Sequence, residues 1–245
     1  MIIHTSSSKS TEPLTGDCGN ILMVIPARGG SKRLPRKNLL SLGGQPLIVW
    51  TIEVALAVGF DARILVTSDD EEILKVAKDY EQQGIVIHKR PKALATDTAS
   101  TSDVLVDAIK TECREGYPPD TLILLQPTSP LRDVSDILSA IKVFKENRCG
   151  DTVVSVCRVD HPTAWIGVIG DRLQFTGVEL SGKRSQDYAD EYRLNGAVYV
   201  ADVARLMSSG TLFSTRLRAS IMPRERSFDI DDAIDFRICE GLIGG

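Results

Sequence analysis

The chain has 245 residues, 42% of them hydrophobic and 25% charged, with a formal net charge of -4. This composition suits a globular chain that buries a sizeable core in one domain with one appended element, and it excludes a broad basic face for coating nucleic acid, leaving anion binding to local clusters. The longest apolar stretches fall short of the roughly 20 residues that span a bilayer, so no membrane partner is expected.

Residues 1–20 are rich in Ser and Thr without a long apolar run, and are expected to form a flexible leader ahead of a folded domain over 21–245. The five cysteines form no CxxC pair, and their odd number argues for reduced thiols and a cytoplasmic location. His4, His88 and His161 lie far apart in no ligand spacing, so zinc has little support and they read as surface or packing residues.

A continuous apolar run over 21–25, bounded by Gly19-Asn20 and Pro26, predicts a strand buried on both faces of a parallel sheet. A loop follows over 26–38. Leu47, Trp50, Thr51, Val54 and Val58 share one helical face, predicting a helix over 46–58 ended by Gly59. A strand over 62–66 precedes a helix capped by Asp69 or Asp70 and running to Tyr80. The unit repeats as strand 85–87, helix 102–113, strand 122–125, a turn at Pro127 and Pro130, helix 134–144 and strand 152–157. This alternation predicts an α/β fold with a doubly wound, mostly parallel sheet.

After Arg158 the pattern changes: short strands over 165–169 and 173–176 flank a Gly170-Asp171 hairpin signal, and a polar stretch follows. This excursion, over 158–192, has too little alternating apolar content for its own core and is expected to pack on a second subunit. A buried strand over 196–200, a weaker one over 219–222 and a helix over 231–240 complete the chain.

The loop Pro26-Ala27-Arg28-Gly29-Gly30-Ser31-Lys32-Arg33-Leu34-Pro35-Arg36-Lys37-Asn38 crowds cations behind the first strand. Paired glycines let the backbone turn close to a ligand so that N–H groups face phosphate oxygens, while Arg and Lys neutralise their charge. Neither GxxxxGK[ST] nor GxGxxG is present, so P-loop and dinucleotide readings fail. The alternative is a solvated basic loop. Its place at the carboxyl end of the first strand, where open α/β sheets hold ligands, favours a polyphosphate site. Asp229 and Asp231 stand two apart, so in an extended segment both carboxylates face one way and can share a hard cation; either could instead cap the following helix. Gln126, at the end of a buried strand, has donors and acceptors for a hydroxylated sugar, or serves as a loop-capping amide.

The segment IPARGGSKRLPRKN resembles the signature loop of the acylneuraminate cytidylyltransferases, the CMP-sialic acid synthetases. The resemblance continues in Arg90-Pro91 with Ala95-Thr96-Asp97-Thr98-Ala99-Ser100, in Leu125-Gln126-Pro127-Thr128-Ser129-Pro130-Leu131-Arg132, in Arg193-Leu194-Asn195-Gly196-Ala197-Val198-Tyr199 and in Asp229-Ile230-Asp231, so that it covers about residues 21 to 240. It implies a Rossmann-like nucleotidyltransferase fold that transfers CMP from CTP to the anomeric hydroxyl of a nonulosonic acid, N-acetylneuraminate favoured, with release of pyrophosphate. Carried over by position, Arg28 and Lys37 are the catalytic contacts to the triphosphate. Gly30, Ser31, Lys32, Asn38, Arg90, Ala99 and Thr101 complete the nucleotide site. Gln126, Arg184, Arg193 and Asn195 are assigned to the sugar, and Asp229 and Asp231 to Mg2+, with Mn2+ as the alternative. Such proteins form homodimers through the excursion. One departure is Lys183-Arg184-Ser185-Gln186-Asp187, where Ser185 stands in place of an expected second arginine. Legionaminate, pseudaminate and KDO are alternative acceptors, and a non-catalytic nucleotide-binding protein is the alternative of another class. Intact Arg28, Lys37, Asp229 and Asp231 argue against the latter.

Overall fold

The computed structural model describes residues 18–244 except 97, 148–149, 180 and 214–215. Most of the expected leader, with His4, and also Asp97 and Cys149, lie outside the described residues.

Strand β1 (Ile21–Pro26) alternates between two cores. Ile21, Met23 and Ile25 face one side, Leu22 and Val24 the other, and all five are buried. A small hairpin of β2 (Ser41–Leu42) and β3 (Gln45–Pro46) leads into α1 (Leu47–Leu56). The chain continues through β4 (Arg63–Ser68), α2 (Glu71–Lys78), β5 (Ile85–Lys89), α3 (Thr101–Arg114), β6 (Thr121–Leu125), α4 (Val134–Glu146) and β7 (Thr152–Arg158). With β10 (Tyr192–Asp202) and β11 (Leu217–Ile221), strands β1 and β4–β7 join a seven-stranded sheet in the order β11-β7-β10-β6-β1-β4-β5. Helices α1, α2 and α4 cover one face, while α3 and α5 (Val203–Ser209) cover the other. Each fully buried Ile or Leu contributes about 1.5–3 kcal/mol, so this double burial fixes which side chain faces which layer.

The periodicity places these elements within a residue or two of their bounds, with two informative differences. The strand expected over 196–200 is the centre of the longer β10 (Tyr192–Asp202), which runs antiparallel to both β6 and β7. Its register against β7 shifts between Leu194 and Tyr199, where Gly196 has φ +77°, so the strand bends there; residues 192–194 pair with β7 alone, and pairing with β6 begins at Val198. Between the ends of β7 and β10, the strands among the described residues of the excursion are β8 (Val168–Ile169) and β9 (Phe175–Thr176), which pair with each other. Their link is a wider turn closed by Gly170 N–H donating to the Gln174 carbonyl at 2.8 Å, rather than a two-residue Gly-Asp turn. Val168, Ile169, Leu173 and Phe175 are all exposed, Leu173 by 84%.

The edge strand β11 (Leu217–Ile221) and helix α6 (Ala233–Gly244) end the fold. Helix α6 packs Cys239 on Leu42, Leu47 and Ile230. Asp232 accepts from Ile234 N–H (2.7 Å) and Asp235 N–H (3.2 Å), while Asp235 accepts from Asp231 N–H (2.9 Å) and Asp232 N–H (3.0 Å). This reciprocal cap is built from Asp232 and Asp235, so the Asp231 carboxylate is left to other partners.

Candidate active site

A cleft of ≈ 210 Å³ opens at the carboxyl ends of β1 and β6, the expected place for a ligand in an open α/β sheet. Arg28, Gly30, Ser31, Lys37 and Asn38 come from the loop after β1, Arg90 follows β5, and Ala99 and Thr101 flank the start of α3. Gln126, Pro127 and Thr128 close the cleft from the end of β6. A second cavity of ≈ 240 Å³ continues from it, sharing Arg28, Ser31 and Lys37 and adding Lys32, Arg33 and Asp231. One end of the site is therefore strongly cationic, and the other mixes Leu94, Ala99 and Val104 with polar groups.

The loop is held from behind. Gly29 N–H donates to Asp69 at 3.2 Å, and a Cβ at Gly29 would lie 2.5 Å from Asp70 Oδ2. Asp70 itself caps α2, accepting from Glu72 and Ile73 N–H, an arrangement worth about 1 kcal/mol. The two aspartates offered by the sequence as alternative caps thus divide the work: Asp70 caps and Asp69 pins the loop. Arg36 sits in the left-handed region (φ +56°) and pairs with Glu72 at 2.5 Å, tying the loop to α2. Asn38 donates to the Arg28 carbonyl at 3.0 Å, while its buried Oδ1 has no hydrogen-bond partner among the described residues.

Across the cationic end lie Asp229 and Asp231. Ile230 between them is fully buried, and its N–H donates to the Thr128 carbonyl at 2.8 Å, so the flanking carboxylates project away from the core. Asp231 receives Arg33 Nη1 at 2.9 Å and Lys37 Nζ at 3.4 Å, and Lys37 also donates to the Ile230 carbonyl. The Asp229 carboxyl meets solvent in a concave protein surround. Desolvation raises its pKa, the neighbouring charge of Asp231 adds to the rise, and a hydrogen bond from Thr128 and the charge of Lys37 oppose it. Two hard carboxylates that repel each other beside a cationic loop fit a divalent cation. No group of three or more His, Cys, Asp or Glu surrounds a common point among the described residues, so further ligands to such a cation would come from elsewhere.

The structure thus brings together Arg28, Gly30, Ser31, Lys37, Asn38, Arg90, Ala99, Thr101 and Gln126 around the cleft, with Lys32 and Asp231 in the adjoining cavity. It does not bring Arg184, Arg193 or Asn195 there. Arg184 pairs with Asp187 at 3.2 Å within the excursion, and Arg193 is exposed on β10 opposite Cys157. Asn195 is buried, with its side chain committed to Ser155 (2.6 Å), Ser227 (2.9 Å) and Ala197 N–H (3.3 Å), an internal brace at the bend of β10. Sequence reasoning missed Arg33, Thr128 and Arg132. Arg132 is fully buried and donates to the carbonyls of Gln126 (3.1 Å) and Ala197 (2.8 Å) and to Thr51 Oγ1 (2.8 Å), locking the turn that carries Gln126. Burial, opposed by Asp136, lowers its pKa to about 10, so it remains cationic at neutral pH. Its signals were a lone arginine in the turn after a buried strand and its place at the end of the motif that begins at Leu125.

Residues 22–166 match the cytidylyltransferase family, and the chain belongs to it. It is 36% identical over 89% of its length to the N-acylneuraminate cytidylyltransferase of Escherichia coli, and spans about half (51%) of that relative. It is 34% identical over 91% of its length to the CMP-N,N'-diacetyllegionaminic acid synthase of Legionella pneumophila, covering 96% of it. Its fold is similar to that of a CMP:2-keto-3-deoxy-manno-octonic acid synthetase solved with CTP, at a TM-score of 0.69 over 92% of this chain and 98% of the other, with 19% identity.

Proposed function

We propose that this protein transfers CMP from CTP to the anomeric hydroxyl of a nonulosonic acid, N-acetylneuraminate first among the candidates. The observation that carries the reading is one continuous groove in which Arg28, Ser31 and Lys37 link a partly apolar pocket to a cavity lined by Asp231, with Asp229 two residues away and hydrogen-bonded by Thr128 of the cleft wall. The apolar end, with Ala99 and Val104 against Arg90, suits a pyrimidine nucleoside, and the unpartnered Asn38 Oδ1 suits an amino group such as that of cytosine. Arg28 and Lys37 neutralise the triphosphate, and Gln126 orients the acceptor beside it. The acceptor oxygen bonds to the α-phosphorus as the bond to the bridging oxygen breaks. Pyrophosphate leaves with that electron pair, and the hydroxyl proton passes to a base or to solvent. Asp229 and Asp231 would hold Mg2+, or Mn2+, which when bound screens charge on the phosphate oxygens.

Legionaminate is a second candidate acceptor, because the Legionella relative matches this chain over nearly its whole length. Pyrophosphate release from CTP and Mg2+, measured with each nonulosonic acid in turn, tests the reading; CTP binding without release from any acid would point to a non-catalytic nucleotide-binding protein. The exposed apolar side chains of the β8–β9 hairpin support a homodimer formed on that arm, and a monomer by sedimentation at micromolar concentration would count against it. Cys113, Cys157 and Cys239 carry no disulfide, which accords with the reducing cytoplasm. No helix among the described residues is long and apolar enough to cross a membrane.

A further inference from the structure

Behind Arg90 lies a set of buried polar groups that no part of the proposed chemistry uses. Arg90 is itself buried, 6% exposed, with one edge on the cleft. Its Nη2 donates to the Thr67 carbonyl at 2.8 Å, and its Nε reaches Thr67 Oγ1 at 3.5 Å. The same Thr67 carbonyl accepts from Ala27 N–H at 3.0 Å, so one residue at the end of β4 steadies both the root of the cationic loop and Arg90. His88 Nδ1 stands 2.9 Å from Thr67 Oγ1, and its Nε2 lies 3.4 Å from Asp107 Oδ2 and 3.5 Å from Thr111 Oγ1.

The direction of these hydrogen bonds follows from the chemistry of the end groups. Asp107 Oδ2 makes no hydrogen bond among the described residues, but its charge 3.4 Å from His88 Nε2 favours a proton on that nitrogen, which Thr111 Oγ1 then accepts. Nδ1 of the neutral ring is then an acceptor and takes the Thr67 hydroxyl hydrogen. That leaves the Thr67 oxygen lone pairs turned to Arg90, which can only donate. Burial lowers the pKa of His88, against the pull of Asp107 and with help from Arg90 and Arg114, and so favours the neutral ring this arrangement needs.

We infer that Thr111, His88 and Thr67 form a hydrogen-bond relay, given its direction by the Asp107 charge, that positions the Arg90 guanidinium for the nucleotide, so that α3 and β4 set the geometry of a contact neither makes. The relay rests on the nucleotide reading of the cleft only for what Arg90 touches. The groups in the relay are positioning residues. Thr67 is buried and His88 only 8% exposed, so they act through Arg90.

Two measurements test it. Imidazole nitrogen NMR of the full chain is expected to show His88 protonated at Nε2 and unprotonated at Nδ1 at neutral pH; the opposite tautomer overturns the relay, whether or not CTP binds. In steady-state kinetics, Thr67→Val keeps the shape but removes the hydroxyl, and is expected to raise the KM for CTP about five- to tenfold with kcat within about twofold, the loss of one hydrogen bond to a charged donor. Thr67→Ser restores the KM. In an Arg90→Ala background Thr67→Val has no further effect, because residues acting in one chain are not additive. A Thr67→Val penalty that persists without Arg90, or a wild-type KM in Thr67→Val, refutes the inference. If Thr67→Val does not fold, His88→Phe, which removes both ring nitrogens, replaces it in the same cycle with the same expected outcomes. A wild-type protein that binds no CTP would defeat the nucleotide reading, and the NMR result would still decide the relay.

Discussion

Replacing Asp231 with asparagine separates the role of this carboxylate in the fold from its role in chemistry. In the structure Asp231 is 57% exposed, and one of its two cationic partners, Arg33, is 71% exposed. Ion pairs so open to water contribute about 0–1 kcal/mol, and the cap of α6 is made by Asp232 and Asp235, not by Asp231. Asp231→Asn is therefore expected to lower Tm by no more than about 4 °C in a chain of this size. Turnover is another matter, because under the proposed metal assignment the substitution removes one of two anionic ligands for a divalent cation. Asp229 remains, so the expected loss is about a hundredfold in kcat/KM for CTP, near 2.7 kcal/mol, and the Mg2+ concentration for half-maximal rate rises. Relief of the Asp231 charge should also move the raised Asp229 pKa downward. The assay is continuous pyrophosphate release across an Mg2+ titration, alongside thermal unfolding of the same preparation. Unchanged turnover and an unchanged Mg2+ midpoint would refute the metal assignment.

Arg132→Met strips donors from the Gln126 and Ala197 carbonyls and from Thr51, each costing about 1–3 kcal/mol, offset in part because a guanidinium is no longer buried. A net loss of about 2–4 kcal/mol in denaturant unfolding is expected, with acceptor KM rising more than CTP KM, and Arg132→Lys should not rescue because it lacks the planar fork. Gly29→Ala drives a Cβ into the Asp70 cap and should destabilise by about 1–3 kcal/mol, whereas Gly30→Ala, with nothing within 4 Å, should leave Tm unchanged yet raise the CTP KM if phosphate approaches that backbone. The folded-state pKa of His88 is depressed, so its contribution to stability is present above the unfolded value near 6.5 and is lost as pH falls through the lower folded value. Unfolding free energy should therefore fall with pH below about 6.5, and the slope should flatten in His88→Phe; an identical slope in both proteins would show that other groups carry it.

The strand-helix alternation and the cationic loop behind β1 were legible in the sequence because both are local. A run such as Ile21–Ile25 is buried on both faces in any parallel sheet, and Pro, Gly and clustered cations mark a loop whatever surrounds it. The Asp-x-Asp pair was legible as a choice between cap and ligand, and that choice needed the fold. It turns on which carboxylate receives the first N–H groups of α6, and on the meeting of Asp231 with Arg33, 198 residues away. The antiparallel direction of β10 was likewise invisible, since a buried strand has the same apolar pattern either way. Asn195 and Arg132 show the limit in side-chain terms. An amide within a motif and an arginine in a turn have the same donors whether they meet substrate or protein, and here packing spends Asn195 on Ser155 and Ser227 and Arg132 on two carbonyls. The chain's own periodicity determined where the groove opens. Only tertiary contacts, between residues far apart in sequence and brought within about 3 Å, decided which polar groups face that groove and which hold it in place.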